Sequence, residues 1–335
     1  MRKQGIQLQT SVATSIMYMG FNMLDPVVGG GKDEKSRERA RKLRQAISIA
    51  VDYEEYVSIF RNGRGIAAQG PIAPGIFGYR EGKEGINPVV YDWDGRGPVR
   101  KSIEAAKKLL AEAGYPNGVD AGTGAPLVLN FDVTARSIDQ KSMLDWMRRQ
   151  FEKINIQLVV RDTDYNRFQD KIRKGNFQIY EWGWHADYPD PENFLFLLHG
   201  AQGKVKKAGE NASNYESAEF DRLFEQMKNM PNSPERQAII DKAVTILRQD
   251  APWLWGFHPK DYALSHAWLG NLKPNKISYN TVKYHRLDAA ERKARRQEWN
   301  RAVLWPFGVF AALLVAFTAP AVRAYRQRER MAARG

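Results

Sequence analysis

Residues 156–182, IQLVVRDTDYNRFQDKIRKGNFQIYEW, contain the pattern that decides the fold. A run of branched residues opens the stretch and predicts a strand. Phe168 and Ile172 then lie four residues apart, which predicts a short helix over 165–174. A second apolar run at 177–182 predicts the next strand. Strands joined through a helix are typical of a parallel sheet with right-handed crossovers, so the stretch predicts an α/β fold.

The same alternation continues on both sides of this stretch. Upstream, a strand at 127–131 and a helix at 138–153 extend the parallel unit to three strands. Downstream, Ser233 is a predicted N-cap and Pro234 a first helical residue, which together open a helix that runs to about Asp250. The pattern further predicts helices over 36–61 and 103–113, a helix through Phe220 and Phe224, and strands over 11–23 and 253–257. The strand at 11–23 is favoured over a signal peptide because polar residues interrupt it and no small-x-small cleavage site follows.

The charge of the chain is concentrated at its C-terminal end. The formal net charge is +13, from 51 Lys and Arg against 38 Asp and Glu. From Lys283 onward, 12 basic and 4 acidic residues give +8, which leaves +5 for the preceding 282 residues. A body this weakly basic gives little reason to expect binding to a phosphate backbone, so we predict no nucleic-acid partner.

An apolar segment lies beside these charges. Residues 302–322, AVLWPFGVFAALLVAFTAPAV, include no charged side chain, and as a helix they would span about 31 Å, close to the thickness of a bilayer core. Trp299, Trp305 and Tyr325 lie near its ends, where interfacial aromatic residues are common. The segment therefore predicts a transmembrane helix. A buried core helix is the alternative, but a tail of only 13 residues follows to cover it.

Motifs for catalysis and cofactor binding are incomplete. Three glycines precede Lys32, but Pro26 and Asp33 occupy the positions where a phosphate-binding loop requires glycine and Ser or Thr. The five histidines lack metal-ligand spacing, and no serine lies in a G-x-S-x-G motif. The lack of cysteine excludes thiolate metal sites and a cysteine nucleophile. We therefore predict a non-enzymatic protein without a cofactor.

One segment has the composition of a binding site. Residues 181–191, EWGWHADYPDP, follow the third predicted strand, and ligands of open α/β sheets bind outside the carboxyl ends of strands. Trp184, His185 and Tyr188 offer apolar faces with polar edges around Asp187. If these rings shield the carboxylate, a cation must meet it, because an unpaired buried charge costs several kcal/mol. No Lys or Arg lies within ten residues, so the predicted partner is His185 or a ligand ammonium group.

Several short motifs occur in order along the chain. They are Gly20-Phe21-Asn22-Met23 with Pro26, LRQAIS at 43–48 with Asp52, AAKKLLAEAGYPNG at 105–118, GWHADY at 183–188, Asn214-Tyr215, Asp221, Glu235-Arg236 and Asp250-Ala251-Pro252. Together these motifs resemble those of the family 5 extracellular solute-binding proteins, the oligopeptide- and dipeptide-binding receptors of ABC importers. The resemblance runs from about residue 16 to residue 273.

The resemblance implies a lobe like that of type II periplasmic binding proteins, with a mixed, partly parallel sheet. In peptide-binding members, an aspartate at the position of Asp187 meets the α-ammonium group of the peptide, and some oligopeptide binders have arginine where this chain has Glu181. The implied partners are a peptide or other small cationic solute and the permease of an ABC importer. The predicted ligand-binding residues are Asp187, Trp184, His185, Tyr188 and Tyr165, with Trp255 and Phe257 added by a looser alignment.

The resemblance also predicts how the chain is divided. The long N-terminal portion that builds most of the first lobe in the family is absent, which predicts the C-terminal half of a receptor. We expect its binding domain on the periplasmic side of the inner membrane. The predicted divisions are a remnant of the first lobe at 1–35, a second solute-binding lobe at 36–250, a return to the first lobe at 251–285, a basic linker at 286–301, the transmembrane helix at 302–322 and a basic tail at 323–335.

Two other functions fit the same residues. A membrane-anchored scaffold would keep the lobe but lose solute binding, and it predicts a filled or covered cleft, whereas solute binding predicts that Asp187 faces an open cleft with Trp184. A hydrolase would use the carboxylates of Asp187, Asp190 and Glu192, and it predicts that they converge on one pocket. A simpler role for Asp190, which precedes a proline, is to cap a helix.

Overall fold

The computed structural model describes residues 5–134, 140–273 and 280–333. The chain forms two compact units. Leu8–Ala263 makes up almost all of the larger unit, and Leu264–Leu272 together with the segment from Thr281 makes up most of the smaller one. The divisions between lobes at 35 and 250 stay a prediction.

The described residues form eleven strands and twelve α-helices. The strands are β1 (Ile6–Val12), β2 (Ser15–Phe21), β3 (Gly65–Ala67), β4 (Tyr91–Trp93), β5 (Pro98–Arg100), β6 (Val128–Thr134), β7 (Gln157–Thr163), β8 (Ile179–His185), β9 (Trp253–His266), β10 (Leu269–Gly270) and β11 (Arg286–Leu287). The helices are α1 (Glu34–Ala50), α2 (Tyr53–Arg61), α3 (Gly82–Gly85), α4 (Ile103–Glu112), α5 (Lys141–Glu152), α6 (Tyr165–Lys174), α7 (Glu192–Leu195), α8 (Lys204–Lys207), α9 (Ala218–Met227), α10 (Pro234–Asp250), α11 (Ala289–Trp299) and α12 (Trp305–Ala332).

A mixed sheet forms the centre of the larger unit. Its strand order is β1-β9-β2-β8-β6-β7, and β3 pairs with β9. Strand β6 pairs in parallel with both β7 and β8, because α5 and α6 carry the chain back to the same end of the sheet. Strand β2 is antiparallel to β8 and to β9. The predicted parallel unit and the mixed sheet implied by the family resemblance are both confirmed.

Apolar side chains cover both faces of this sheet. Successive residues of a strand point to opposite faces, and Ile179 and Tyr180 of β8 accordingly belong to different buried clusters. One cluster includes residues of α1, α4 and α5, and the other includes residues of α6, α9 and α10. A sheet covered on both faces needs apolar residues at successive positions, which explains the continuous apolar runs of its strands.

The single helix predicted at 36–61 is wrong, because the chain forms two helices there, α1 and α2. Asp52 lies between them in an extended conformation, and its carboxylate accepts a hydrogen bond of 3.0 Å from the backbone amide of Glu55. Because Asp52 is extended and caps α2, the chain beyond α1 provides no helical amide groups for the last carbonyl groups of α1. Helix α1 therefore ends before Asp52. The apolar spacing continues across the break, so periodicity alone does not reveal it.

Three predicted strands and helices differ in extent. The segment predicted as one strand at 11–23 contains parts of two, β1 and β2, which lie on opposite sides of β9. The strand predicted at 253–257 continues to His266, because β1, β2 and β3 all provide partners for it. The helix predicted at 138–153 is present as α5, and the first two residues of that prediction lie outside the described part of the chain.

The smaller unit contains a strand pair and two helices. Strands β10 and β11 are antiparallel, and Asp288 caps α11 by accepting a hydrogen bond of 2.9 Å from the amide of Glu291. Helix α12 is long and apolar enough to cross a membrane by length and composition, and its side chains are exposed along the whole helix. It begins three residues after the predicted start at 302 and continues through most of the predicted basic tail, of which Arg334 lies outside the described residues.

Burial of His258 in the larger unit predicts a dependence of stability on pH. Desolvation lowers the pKa of this imidazole to about 4, and its Nδ1 lies 2.9 Å from the carbonyl oxygen of Ser15. In the unfolded chain, histidine takes up a proton below about pH 6.5, so protonation favours unfolding until the pH falls to the folded value. We expect the free energy of unfolding to fall by about 1.4 kcal/mol per pH unit between these two values, over and above the slope of other groups.

Chemical unfolding of the detergent-solubilised chain between pH 4 and 7 measures this slope. His258→Asn keeps a donor towards Ser15 but does not titrate. The variant should therefore lack the part of the pH dependence of the unfolding free energy that is due to His258. Equal slopes for the variant and the wild type would contradict the assignment.

Candidate functional site

A buried asparagine organises the segment that follows β8. Asn193, in α7, is 2% exposed. Its Oδ1 accepts a hydrogen bond of 3.1 Å from the indole Nε1 of Trp184 and one of 2.9 Å from the backbone amide of Asp187. Its Nδ2 lies 3.4 Å from the Asp187 carboxylate. One amide therefore fixes both the tryptophan ring and the loop that carries the aspartate.

The carboxylate of Asp187 is exposed rather than shielded by the neighbouring rings. Within residues 5–134, 140–273 and 280–333 it takes part in no ion pair. The prediction that burial would force a cation onto this group therefore does not apply to the chain as the structure describes it. The group is instead a charged acceptor that is held in place and open to solvent.

His185 and Tyr188 have other partners than Asp187. Both side chains are exposed. The Nδ1 of His185 lies 2.6 Å from Oγ of Ser15, its neighbour across the β2–β8 pair. The hydroxyl of Tyr188 donates to the carboxylate of Glu192, and partial burial together with that carboxylate raises the pKa of the phenol. His185 is therefore not the partner of Asp187, and the ligand ammonium group stays a prediction.

The aromatic residues predicted from other parts of the chain lie in different surroundings. Tyr165 is 58% exposed at the start of α6. Trp255 and Phe257 are each 6% exposed, and they face opposite sides of the sheet because the register of β2 and β9 shifts between them. Trp255 belongs to the cluster against which Trp184 packs, whereas Phe257 belongs to the other cluster. The structure therefore brings only Trp255 of these three to the same cluster as Trp184.

A cavity of about 460 Å³ opens on the other side of β8. It lies at the carboxyl ends of the parallel strands β6 and β7, where open α/β sheets bind ligands. Glu181 contributes to its lining. Burial of the Tyr53 hydroxyl, and to a lesser extent the charge of Glu181, raise the pKa of this hydroxyl well above its ordinary value. Other lining residues are mostly apolar or aromatic, among them Tyr56, Phe131, Leu144, Met147 and Val160. The sequence does not predict this cavity, because its walls come from distant helices α2 and α5.

The family model for bacterial extracellular solute-binding proteins, family 5 (middle region), matches residues 2–205, which is more than half of the chain. The chain belongs to this family. The family resemblance of the motifs is thereby confirmed.

Two relatives of this family 5 chain are named for different ligands, heme and oligopeptides. Heme-binding protein A of Haemophilus influenzae is 27% identical over 258 residues, which cover 77% of this chain and 42% of that protein. The periplasmic oligopeptide-binding protein OppA of Salmonella typhimurium is 25% identical over 252 residues, which cover 69% of this chain and 41% of that protein. This chain therefore spans less than half the length of both relatives.

Solved structures of the family share the fold. HbpA2 from Haemophilus parasuis matches with a TM-score of 0.68 at 22% identity, over 84% of this chain and 50% of that one. The periplasmic binding protein DppA from Helicobacter pylori, in complex with the peptide STSA, matches with a TM-score of 0.65 at 23% identity, over 84% and 49%. The fold is thus that of the type II periplasmic binding proteins, and about half of each matched structure has a counterpart here.

The partner of Asp190 in this family 5 chain is not evident from the sequence. The guanidinium group of Arg236, 2% exposed in α10, donates to both carboxylate oxygens of Asp190 at 2.7 and 2.8 Å. Asp190 also accepts from the amide of Glu192, the first residue of α7, at 2.9 Å, as the predicted cap would, although Pro191 stands between them. The same carboxylate, which is partly buried, also pairs with Arg236. Sequence offers one indication, an arginine on the apolar face of a helix, but not its partner.

The geometry of the three carboxylates does not support a hydrolase. Asp190 is held by Arg236, Glu192 accepts from Tyr188, and the carboxylate of Asp187 lies 3.4 Å from Nδ2 of Asn193. Each carboxylate thus has a different partner, whereas general acid–base catalysis by a carboxylate pair requires two that face one substrate. The relatives are named for binding, which agrees with a non-enzymatic role.

Proposed function

We propose that this chain binds a small cationic solute, in the first place a peptide through its α-ammonium group, at the carboxylate of Asp187. The observation that carries the proposal is the exposed carboxylate of Asp187, which pairs with no described cation. The loop that carries it is fixed by Asn193, which accepts from the Asp187 backbone amide and from the indole of Trp184. Family membership and the peptide-binding relatives support it. The solute leaves unchanged and passes to the permease of an ABC importer.

Exposure of the site limits the affinity that this chain alone can supply. A hydrogen bond to a charged group contributes about 1.5–3 kcal/mol, and screening by water brings an exposed one towards the lower end. The chain spans about half the length of its matched relatives, and we propose that it supplies only one side of the site that encloses the solute. We therefore expect dissociation constants in the millimolar range for this chain by itself.

The apolar helix α12 supports a tethered form of this receptor. It has the length and composition to cross a membrane, and we propose that it holds the solute-binding unit at the inner membrane on the periplasmic side. A receptor fixed beside its permease would raise the effective concentration of solute-loaded protein at the transporter.

One observation favours a second candidate, a membrane-anchored scaffold that has lost solute binding. Trp255 and Phe257, expected to line the pocket, are buried in the two cores and leave little aromatic surface for a ligand. The two candidates differ in one property, which is saturable binding of a small solute.

Replacing Asp187 by asparagine is expected to weaken the binding of dipeptides about tenfold, because the charge-assisted contact becomes a neutral one. Isotope-edited NMR titration of the detergent-solubilised chain with a dipeptide library measures millimolar affinities directly. The fold should be unaffected, because Asp187 is exposed and its backbone amide still reaches Asn193.

Two controls make this experiment decisive. Glu219→Gln removes the same charge from an exposed position on α9 and should leave the affinity unchanged. N-acetylated dipeptides lack the ammonium group, so they should bind the wild type and Asp187→Asn equally weakly. Equal affinities of free dipeptides for the wild type and Asp187→Asn would refute the anchor, and a lack of saturable binding would favour the scaffold.

A further inference from the structure

The smaller unit carries a basic stripe that the proposed solute site does not use. On α11, Glu291 and Arg295 are partly covered, whereas Arg292, Lys293 and Arg296 are exposed. These three lie at positions i, i+1 and i+4, so they share one face of the helix. Ala289, Gln297 and Asn300 lie beside them on the same open surface.

The charge of this basic stripe is not neutralised within the described part of the chain. Arg295, on the covered side, lies 3.2 Å from Glu298, whereas the three stripe residues form no ion pair with residues 5–134, 140–273 or 280–333. The carboxylate of Asp288 is occupied as the cap of α11. A concentration of three uncompensated cations on one helical face attracts anions.

The position of the stripe in the chain indicates which anion. Helix α11 ends at Trp299 and α12 begins at Trp305, so these two residues, six steps apart in the chain, are separated by at most about 22 Å. Arg292 lies seven residues before Trp299, which adds about 10 Å of helix, so the whole stripe lies within about 32 Å of the start of the apolar helix. If α12 crosses a bilayer, this tether keeps the stripe within reach of the lipid headgroups.

Aromatic rings lie at the same end of α11. Trp299 packs against Trp268, with ring centroids 5.3 Å apart, and His266 stacks on Trp268 at 4.0 Å. Tryptophan is enriched where protein meets the boundary between headgroups and acyl chains, because its ring is apolar and its N–H is polar. The smaller unit thus combines a basic stripe, the half-exposed Trp299 and an apolar helix between residues 289 and 332.

We propose that α11 is a binding surface for anionic lipid headgroups, with Arg292, Lys293 and Arg296 facing their phosphate groups. The inference rests on the part of the proposed function that inserts α12 into the membrane. Arginine binds phosphate through two parallel hydrogen bonds and lysine binds it as a point charge. Each basic residue near an anionic surface favours the docked state by roughly fivefold, so the three together favour it by on the order of a hundredfold.

The lack of cysteine in the chain allows a direct test. Gln297→Cys places a single fluorescent label on the stripe of the full chain, which is reconstituted into nanodiscs with nitroxide-labelled headgroups. We expect quenching of the label to increase when phosphatidylglycerol is added to phosphatidylcholine and to decrease at high salt. Quenching that does not depend on phosphatidylglycerol would overturn the proposal.

Charge variants separate the stripe from other cations. Combined Arg292→Gln, Lys293→Gln and Arg296→Gln substitutions should reduce the docked-to-undocked ratio by on the order of a hundredfold. Combined Arg323→Gln, Arg326→Gln and Arg328→Gln substitutions remove the same charge beyond the apolar helix and should leave quenching unchanged. Equal effects of the two triple variants would show that net charge, and not the stripe, is responsible.

Two further measurements separate this inference from its premise. Alkaline carbonate extraction tests insertion of α12, and release of the chain from membranes would overturn both the tether and the lipid surface. A chain that stays in the membrane but shows no dependence on phosphatidylglycerol would overturn the lipid surface alone. Soluble glycerol phosphate should not displace the label from the bilayer, and displacement would identify a site for free phosphate instead.

Discussion

Replacing Arg236 by alanine is expected to lower the free energy of unfolding of the larger unit by about 3–5 kcal/mol. The guanidinium group is 2% exposed and donates to both oxygens of Asp190, to the carbonyl oxygen of Met227 at 3.0 Å and to the side chain of Asn232 at 2.7 Å. Removing it leaves a partly buried carboxylate without a cation and two further acceptors without a donor. The cost of those unpaired groups, more than the ion pair itself, sets the size of the effect.

A double-mutant cycle tests the origin of this effect. If the unpaired carboxylate dominates, Asp190→Asn in the Arg236→Ala background should recover part of the lost stability, as measured by chemical unfolding. Arg236→Lys keeps the charge but not the bidentate geometry. Its free energy of unfolding should therefore lie between those of the wild type and Arg236→Ala. A loss below about 1 kcal/mol for Arg236→Ala would contradict the structural role.

The ion pair also bears on the proposed solute site. Asp190 lies three residues after Asp187, and Arg236 fastens that part of the loop to α10. Loss of the pair should therefore weaken dipeptide binding as well as stability. The guanidinium group donates to Asp190, Met227 and Asn232, and the proposed contact to the solute is made by Asp187, so Arg236 acts as a positioning residue.

Replacing Trp253 by alanine is the second change with a large expected effect, again about 3–5 kcal/mol of unfolding free energy. The side chain is 1% exposed and stacks on Tyr18, with ring centroids 3.5 Å apart and an interplanar angle of 9°. Its Nε1 donates to Oγ of Ser213 at 3.0 Å, and the same oxygen lies 3.0 Å from the hydroxyl of Tyr180. The substitution therefore opens a cavity and removes a hydrogen bond between the centre of the sheet and the loop before α9.

A conservative variant divides this effect into its parts. Trp253→Phe retains most of the packing against Tyr18 and loses the hydrogen bond, so it should cost less than half as much as Trp253→Ala. Calorimetric or chemical unfolding of both variants measures the difference. Equal losses for the two would mean that the hydrogen bond to Ser213, rather than ring packing, provides the stabilisation.

Much of the local structure follows from short stretches of sequence. Helix α6 spans 165–174 as predicted, and α10 begins at Pro234 after its Ser233 cap and ends at Asp250. Both depend on the spacing of apolar residues and on capping groups within a few positions. Where a capping residue interrupts a continuing apolar pattern, as Asp52 does, the same reasoning fails.

The site was predictable in position but not in environment. The alternation of predicted strands and helices makes residues 177–182 the third strand of the parallel unit. Trp184 and Asp187 follow directly and therefore lie at the carboxyl end of this strand, which is β8 in the structure. The Asn193 amide that holds both, and the exposure of the carboxylate, depend on how α7 packs. The cavity beside Glu181 likewise depends on the packing of α2 and α5 against the sheet.

By itself, the sequence determined the parallel strand–helix unit, the family and the apolar C-terminal helix, because each depends on residue types at close and regular spacing. Only the tertiary structure decided that β2 and β9 enter the middle of the sheet, that Arg236 pairs with Asp190 and that His185 meets Ser15 across 170 positions of the chain. Such contacts form when the whole larger unit packs, because burial on both faces of the sheet selects among many pairings that are locally equivalent.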